Sequence, residues 1–124
     1  MAEQKIAMGL DFEMLRGAVE NLDAELLASL YADDAEVHVV GHETPPSSPA
    51  ILRGREEIAE AYREAYGGQH FIQRVESAVV SEDCLALRVA AEYPDGKREL
   101  CGVFLDLDKD GKIARNTTVH VEEG

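Results

Sequence analysis

Basic residues are scarce in this chain. Its 124 residues hold 12 Lys and Arg against 25 Asp and Glu, a formal net charge of −13 at pH 7. Nucleic acids and anionic membrane surfaces are bound by clustered Lys and Arg, so neither is an expected partner. Long apolar runs are missing as well: none approaches the ~20 residues that cross a bilayer. The opening MAEQKIAMGL has no basic stretch followed by a long apolar one, so no secretory signal is visible. Internal repeats and low-complexity tracts are absent. The four histidines, His38, His42, His70 and His120, are spread over three elements without the short spacings of metal sites, so no metal and no other cofactor is expected. Cysteine is limited to Cys84 and Cys101. The hairpin expected between them sets Cys84 opposite about residue 107 and Cys101 opposite about residue 90, ~20 Å apart along the sheet. A disulfide requires Cα atoms within ~7 Å, so both thiols stay reduced. These absences describe a soluble, cytoplasmic protein.

What remains is enough for a packed domain. Hydrophobic residues make up 45% of the chain, and the length suits one domain. We expect residues 1–9 to be a mobile start and 10–124 to be that domain. Phe12, Leu15, Val19, Leu22, Leu26 and Leu30 fall at helical spacing. Asp23 is a good cap for a second short helix over 24–30. The β-branched segment 35–40 reads as a strand. Residues 41–54 hold three of the four prolines, in Pro45-Pro46-Ser47-Ser48-Pro49, and read as a loop. Residues 55–66 read as a third helix, stopped by Gly67-Gly68. Four strand-like runs follow, near 70–80, 84–93, 98–107 and 112–121. Turn compositions separate them, so they form consecutive antiparallel hairpins. Helices followed by a run of strands is an α+β layout.

Three segments carry a family resemblance. They are Leu30-Tyr31-Ala32-Asp33-Asp34-Ala35-Glu36-Val37, then Leu52-Arg53-Gly54-Arg55-Glu56-Glu57-Ile58, and last Tyr93-x-x-Gly96 with Leu105-x-Leu107-x-x-x-Gly111-Lys112-Ile113. With these the chain, from about Phe12 to Val121, resembles the nuclear transport factor 2-like superfamily, in its SnoaL-like and ketosteroid-isomerase-like branch. The resemblance implies a cystatin-like cone, a curved antiparallel sheet wrapped around N-terminal helices and enclosing an apolar cavity. It implies no ketosteroid isomerase activity, because that activity's tyrosine position falls on Leu15. The base position falls on Val39, and the second aspartate falls on Val103 or Leu105.

Strand parity selects the residues facing the cavity. Leu85, Leu87, Val89, Ala91 and Tyr93 form one apolar face. The resemblance puts Glu99, Cys101, Val103 and Leu105 inward on the next strand, and Ala114, Asn116, Thr118 and His120 inward on the last. Alternation alone would instead send Ile113, Val119 and Val121 inward, and a one-residue slip decides between the two. With the first parity, Asn116, Thr118 and His120 form a polar ladder across a cavity lined by Val37, Val39, Leu87, Val89 and Val103. Cys101 is a small packing residue there. Tyr62 is the hydroxyl on the opposite wall, and Tyr31 and Tyr66 lie at the core edge. His120 is the candidate general base, since imidazole titrates near ~6.5. Glu99, about opposite it, orients the ring.

Two function classes fit. One is a cofactor-free enzyme doing acid/base chemistry on a small apolar substrate, as isomerase, cyclase, hydratase or epoxide hydrolase. The other is a non-catalytic ligand-binding or dimerisation domain. The same parity turns Leu100, Phe104, Ile113, Val119 and Val121 outward. An apolar patch of that kind predicts a homodimer through the outer sheet face.

Overall fold

Two aspartates open the helical layer. In the computed structural model, which describes residues 10–68 and 70–122, Asp11 caps α1 (Phe12–Glu20) by accepting from the N–H groups of Glu13 and Met14 at 2.9 and 3.3 Å. Asp23 caps α2 (Ala24–Ser29), accepting from Leu26 N–H at 3.1 Å. Both satisfy donors that a first helical turn leaves open. Leu22, between the helices, adopts a φ of 53°, the left-handed conformation that makes the sharp reversal there. The third helix, α3 (Arg55–Gly67), starts at Gly54, whose φ of 87° favours glycine. The expected mobile start, residues 1–9, lies outside the described residues.

Leu15, Ala18 and Val19 of α1, Leu27 and Ala28 of α2, and Ile58 and Ala59 of α3 are buried. They pack on a curved, unclosed six-stranded sheet. Its strands are β1 (Tyr31–Val40), β2 (Ala50–Arg53), β3 (Ile72–Val80), β4 (Cys84–Glu92), β5 (Arg98–Leu107) and β6 (Ile113–Glu122). They lie in the order β2-β1-β6-β5-β4-β3. All neighbours are antiparallel except β1 and β6, which run parallel. The α+β cone expected from the sequence is the fold observed. No helix among the described residues is long and apolar enough to cross a membrane.

The structure departs from the sequence reading in four places. First, β2 lies inside the segment read as loop: Ile51 and Leu52 follow the prolines closely, yet they pair with His38 and Val37 as an edge strand. Second, Cys84 pairs with Asp106 and Cys101 with Val89, one residue away from the expected register. The cause is the loop Pro94–Asp95–Gly96, closed by Tyr93 N–H to Lys97 C=O at 2.9 Å with Gly96 at φ 90°. The two thiols remain five positions apart along the sheet, ~17 Å, and both are free. Third, His120 pairs with Cys101, and Glu99 faces Glu122 rather than His120.

Fourth, Ile113 faces the core. It is fully buried, and its backbone N–H donates to Leu30 C=O at 2.9 Å. A register shift between Asp106 and Leu107 reverses the parity of β6 at this point. Beyond the shift, parity is the one the family alignment implies. Leu85, Leu87, Val89, Leu105 and Asn116 are buried, whereas Leu100, Phe104, Val119 and Val121 are 47%, 50%, 39% and 67% exposed.

Candidate functional site

The helices do not fill the concave side of the sheet. A cavity of about 140 Å³ remains between them. Leu15 and Val19 from α1 and Leu27 from α2 form its helical apolar wall, and Leu87, Val89, Val103 and Leu105 form its sheet wall. Helix α1 is held against β3 at the cavity's side. Gln73 Nε2 donates to Val19 C=O at 2.9 Å, and Glu20 Oε2 accepts from Val75 N–H at 2.9 Å.

One chain of hydrogen bonds crosses this apolar space. Thr118 Oγ1 donates to Asn116 Oδ1 at 2.7 Å, and Asn116 Nδ2 donates to the Tyr31 hydroxyl at 2.8 Å. The Tyr31 hydroxyl is in turn 2.8 Å from that of Tyr62. A second bond pair lies beside it, where Gln73 Nε2 donates to the Tyr66 hydroxyl at 3.2 Å. Asn116 is 4% exposed and Tyr31 only 1%. Polar groups this deep need hydrogen-bond partners, and here they find them in one another.

The expected site residues divide into two groups. Tyr62, Leu87, Val89, Cys101, Val103, Asn116 and Thr118 line the cavity together. Val37, Val39, Glu99 and His120 are not among its lining residues. Val37 and Val39 flank Asn116 and Thr118 on the neighbouring strand. His120 lies two residues beyond Thr118, in a hollow shared with Gly41, His42 and Lys97. Its Nδ1 is 2.9 Å from Glu99 Oε2, and Tyr93 donates to the other Glu99 oxygen at 3.1 Å. That buried Nδ1 has no aligned hydrogen-bond partner. Glu99, His120 and Glu122 each bring one ligand atom to within 4.8 Å of the others, the one such group among the described residues.

Sequence reasoning missed Tyr31, Tyr66, Gln73 and the helical wall as cavity residues. Tyr31, expected at the core edge, is fully buried. Its signal was the motif Tyr31-Ala32-Asp33-Asp34, whose polar tail hides that the tyrosine is already in a strand.

Burial holds every tyrosine neutral. It pushes the Tyr31 hydroxyl up and the Tyr62 hydroxyl well above the ordinary range. It raises Tyr66 to about 12, and with Glu99 alongside it raises Tyr93 to about 12. The Cys101 thiol is pushed to about 12 by burial and Glu99, so it is no nucleophile at neutral pH. In the unfolded chain thiols titrate near ~8.5 and tyrosines near ~10. A raised folded value keeps stability intact below the unfolded one and removes it as pH climbs from there towards the folded one. We therefore expect the melting temperature to be steady up to ~pH 8.5 and to fall between ~9 and ~12. Tyrosinate absorbance should rise together with unfolding. Ionisation of all the tyrosines near ~pH 10 in a still-folded protein would contradict this.

The comparisons with known proteins agree with the geometry. Among curated proteins none matches the sequence. A candidate ketosteroid isomerase from Kribbella flavida is 21% identical, with 91% of this chain and 76% of that one covered at a TM-score of 0.73. An NTF2-like protein of unknown function from Mesorhizobium loti is 16% identical, with 91% and 88% covered at 0.74. A computationally designed 17-OHP binder is 18% identical, with 86% and 87% covered at 0.65. Identities this low establish the fold alone. The SnoaL-like domain model matches residues 13–116, most of the described cone, and the chain belongs to the SnoaL-like family.

Proposed function

We propose that the cavity binds a small, neutral, mostly apolar molecule by one acceptor atom, held by the Tyr62 hydroxyl. Proton counting carries the reading. Tyr31 and Tyr62 hold two hydroxyl protons and share one hydrogen bond, so one proton is left for the cavity. Asn116 donates into the Tyr31 oxygen, which makes Tyr31 the better donor of the pair. Tyr31 then donates to Tyr62, and the Tyr62 proton is the one presented to a ligand. Thr118 spends its proton on Asn116, so its oxygen is an acceptor at the other end. The surrounding negative charge disfavours anions.

In the catalytic form of this reading, Tyr62 polarises a carbonyl or epoxide oxygen, as an isomerase, cyclase, hydratase or epoxide hydrolase requires. A binding domain without turnover is the second reading. It is favoured by the cavity lining, which holds no carboxylate and no imidazole among the described residues. The outer sheet face forms a homodimer, and the reduced thiols suit the cytoplasm.

Cyclohexanone and methylcyclohexane, titrated by NMR, test the reading. The ketone should bind more tightly to the native chain, and Tyr62→Phe should weaken it about tenfold while leaving the hydrocarbon unchanged. Equal ketone binding by both proteins would remove Tyr62 from the site.

A further inference from the structure

We infer that Glu99, His120 and Glu122 form a binding site for a first-row divalent cation, at the end of β5 and β6 and outside the cavity wall. The register assembles it. Glu99 and Glu122 are directly opposite one another, and His120 is two pairs further in, opposite Cys101. Residues two apart share a face, so all three side chains project from the concave side. Like charges directly opposite one another on a sheet repel. A cation between the two carboxylates turns that repulsion into attraction.

The side chains are already oriented for it. His120 is held from behind by Gly41: a Cβ at position 41 would lie 2.4 Å from Nε2, so only glycine lets the ring sit there. This backing leaves Nδ1 facing the carboxylates, 2.9 Å from Glu99 Oε2 and without an aligned hydrogen bond. Tyr93 engages Glu99 Oε1 and so leaves Oε2 for a cation, the outer support usual for ligating carboxylates. The three ligand atoms lie within 4.8 Å of one another. Ligands ~2.1 Å from a tetrahedral ion stand ~3.4 Å apart, so closure needs shifts of about an ångström. Glu122 is exposed and at the strand's end, where such a shift is easy.

Imidazole with two carboxylates selects Zn²⁺ or Mn²⁺ over the all-oxygen ions Mg²⁺ and Ca²⁺. Three protein ligands leave a fourth position for water or a small anion, on the side of the hollow with His42 and Lys97. This site stands independently of the ligand proposed for the cavity.

The test is equilibrium dialysis of the full chain against Zn²⁺ without any cavity ligand, with metal measured by mass spectrometry. Native protein should bind one saturable Zn²⁺ per chain. Glu122→Gln and His120→Ala should each weaken it at least ~10-fold, and Glu82→Gln, a change in an exposed turn, should not. In the native chain only, Zn²⁺ should shift the His120 ring nitrogen resonance at Nδ1. Circular dichroism confirms that the variants are folded, and Glu122→Gln carries the test where His120→Ala does not fold. No stoichiometric binding, or equal binding by Glu122→Gln and the native chain, overturns the site, whatever the outcome of the ketone titration.

Discussion

Phe104→Glu is expected to convert the proposed homodimer into a monomer, with association weakened at least ~100-fold. Phe104 stands on the convex face, between Ala86 of β4 and Thr117 of β6. Its ring folds back over Gly102: a Cβ on that glycine would lie 3.4 Å from the ring. The aromatic thus lies along the sheet, a flat anchor held in place before any partner arrives. Val119 pairs with Gly102, and Leu100 pairs with Val121, so the exposed apolar side chains of β5 and β6 adjoin one another. Leaving them wet forfeits roughly 25 cal/mol for each Å² that a partner would cover.

A two-fold axis near Phe104 would place it against its own copy. Two introduced carboxylates would then meet in an apolar contact, in a chain already at −13. Sedimentation velocity at micromolar concentration and ~0.1 M salt reads the outcome, since charge repulsion is screened beyond ~10 Å there. The native chain and Phe104→Leu should run as dimers and Phe104→Glu as a folded monomer. A monomeric native chain would overturn the interface.

How much of this could be read from the residues depends on how far each feature reaches. The apolar face Leu85, Leu87, Val89 and Ala91 was legible because one strand with one buried side carries its own alternation. The start of α2 was legible because Asp23 caps it locally. Ile113 was left open, because alternation sent it inward and the resemblance outward, and the one-residue shift between β5 and β6 that decides for the core leaves no composition signal. The trio Glu99, His120 and Glu122 was hidden for the same reason: the expected register put Glu99 opposite His120, and the observed one brings in Glu122. Tyr31 and Asn116, 85 positions apart, meet only because β1 lies parallel to β6, a pairing no local pattern announces. Half of the cavity lining comes from side chains on known faces; the hydrogen-bonded chain that gives it polarity comes from that non-local pairing.

That chain has its weak point at Tyr31, where substitution should cost most. Tyr31→Ala is expected to destabilise the fold by ~3–5 kcal/mol, because it empties a fully buried aromatic site beneath α3. For a domain of this size that is roughly 12–20 °C in melting temperature. Tyr31→Phe keeps the volume and removes one oxygen. It leaves the Asn116 amide donor buried without its partner and takes from Tyr62 the bond it receives, at ~1–3 kcal/mol. The two losses can be separated. Asn116→Leu combined with Tyr31→Phe removes donor and acceptor together, so the double variant should be more stable than the sum of the single losses predicts. Ketone affinity should respond differently. Both Tyr31→Phe and the double variant leave the Tyr62 proton unassisted, so each should bind cyclohexanone several-fold more weakly than the native chain. Thermal melts and the NMR titration on the same four proteins decide it. Strictly additive stabilities would dissolve the Asn116–Tyr31 coupling, and unchanged ketone affinity in Tyr31→Phe would detach Tyr31 from the donor that faces the cavity.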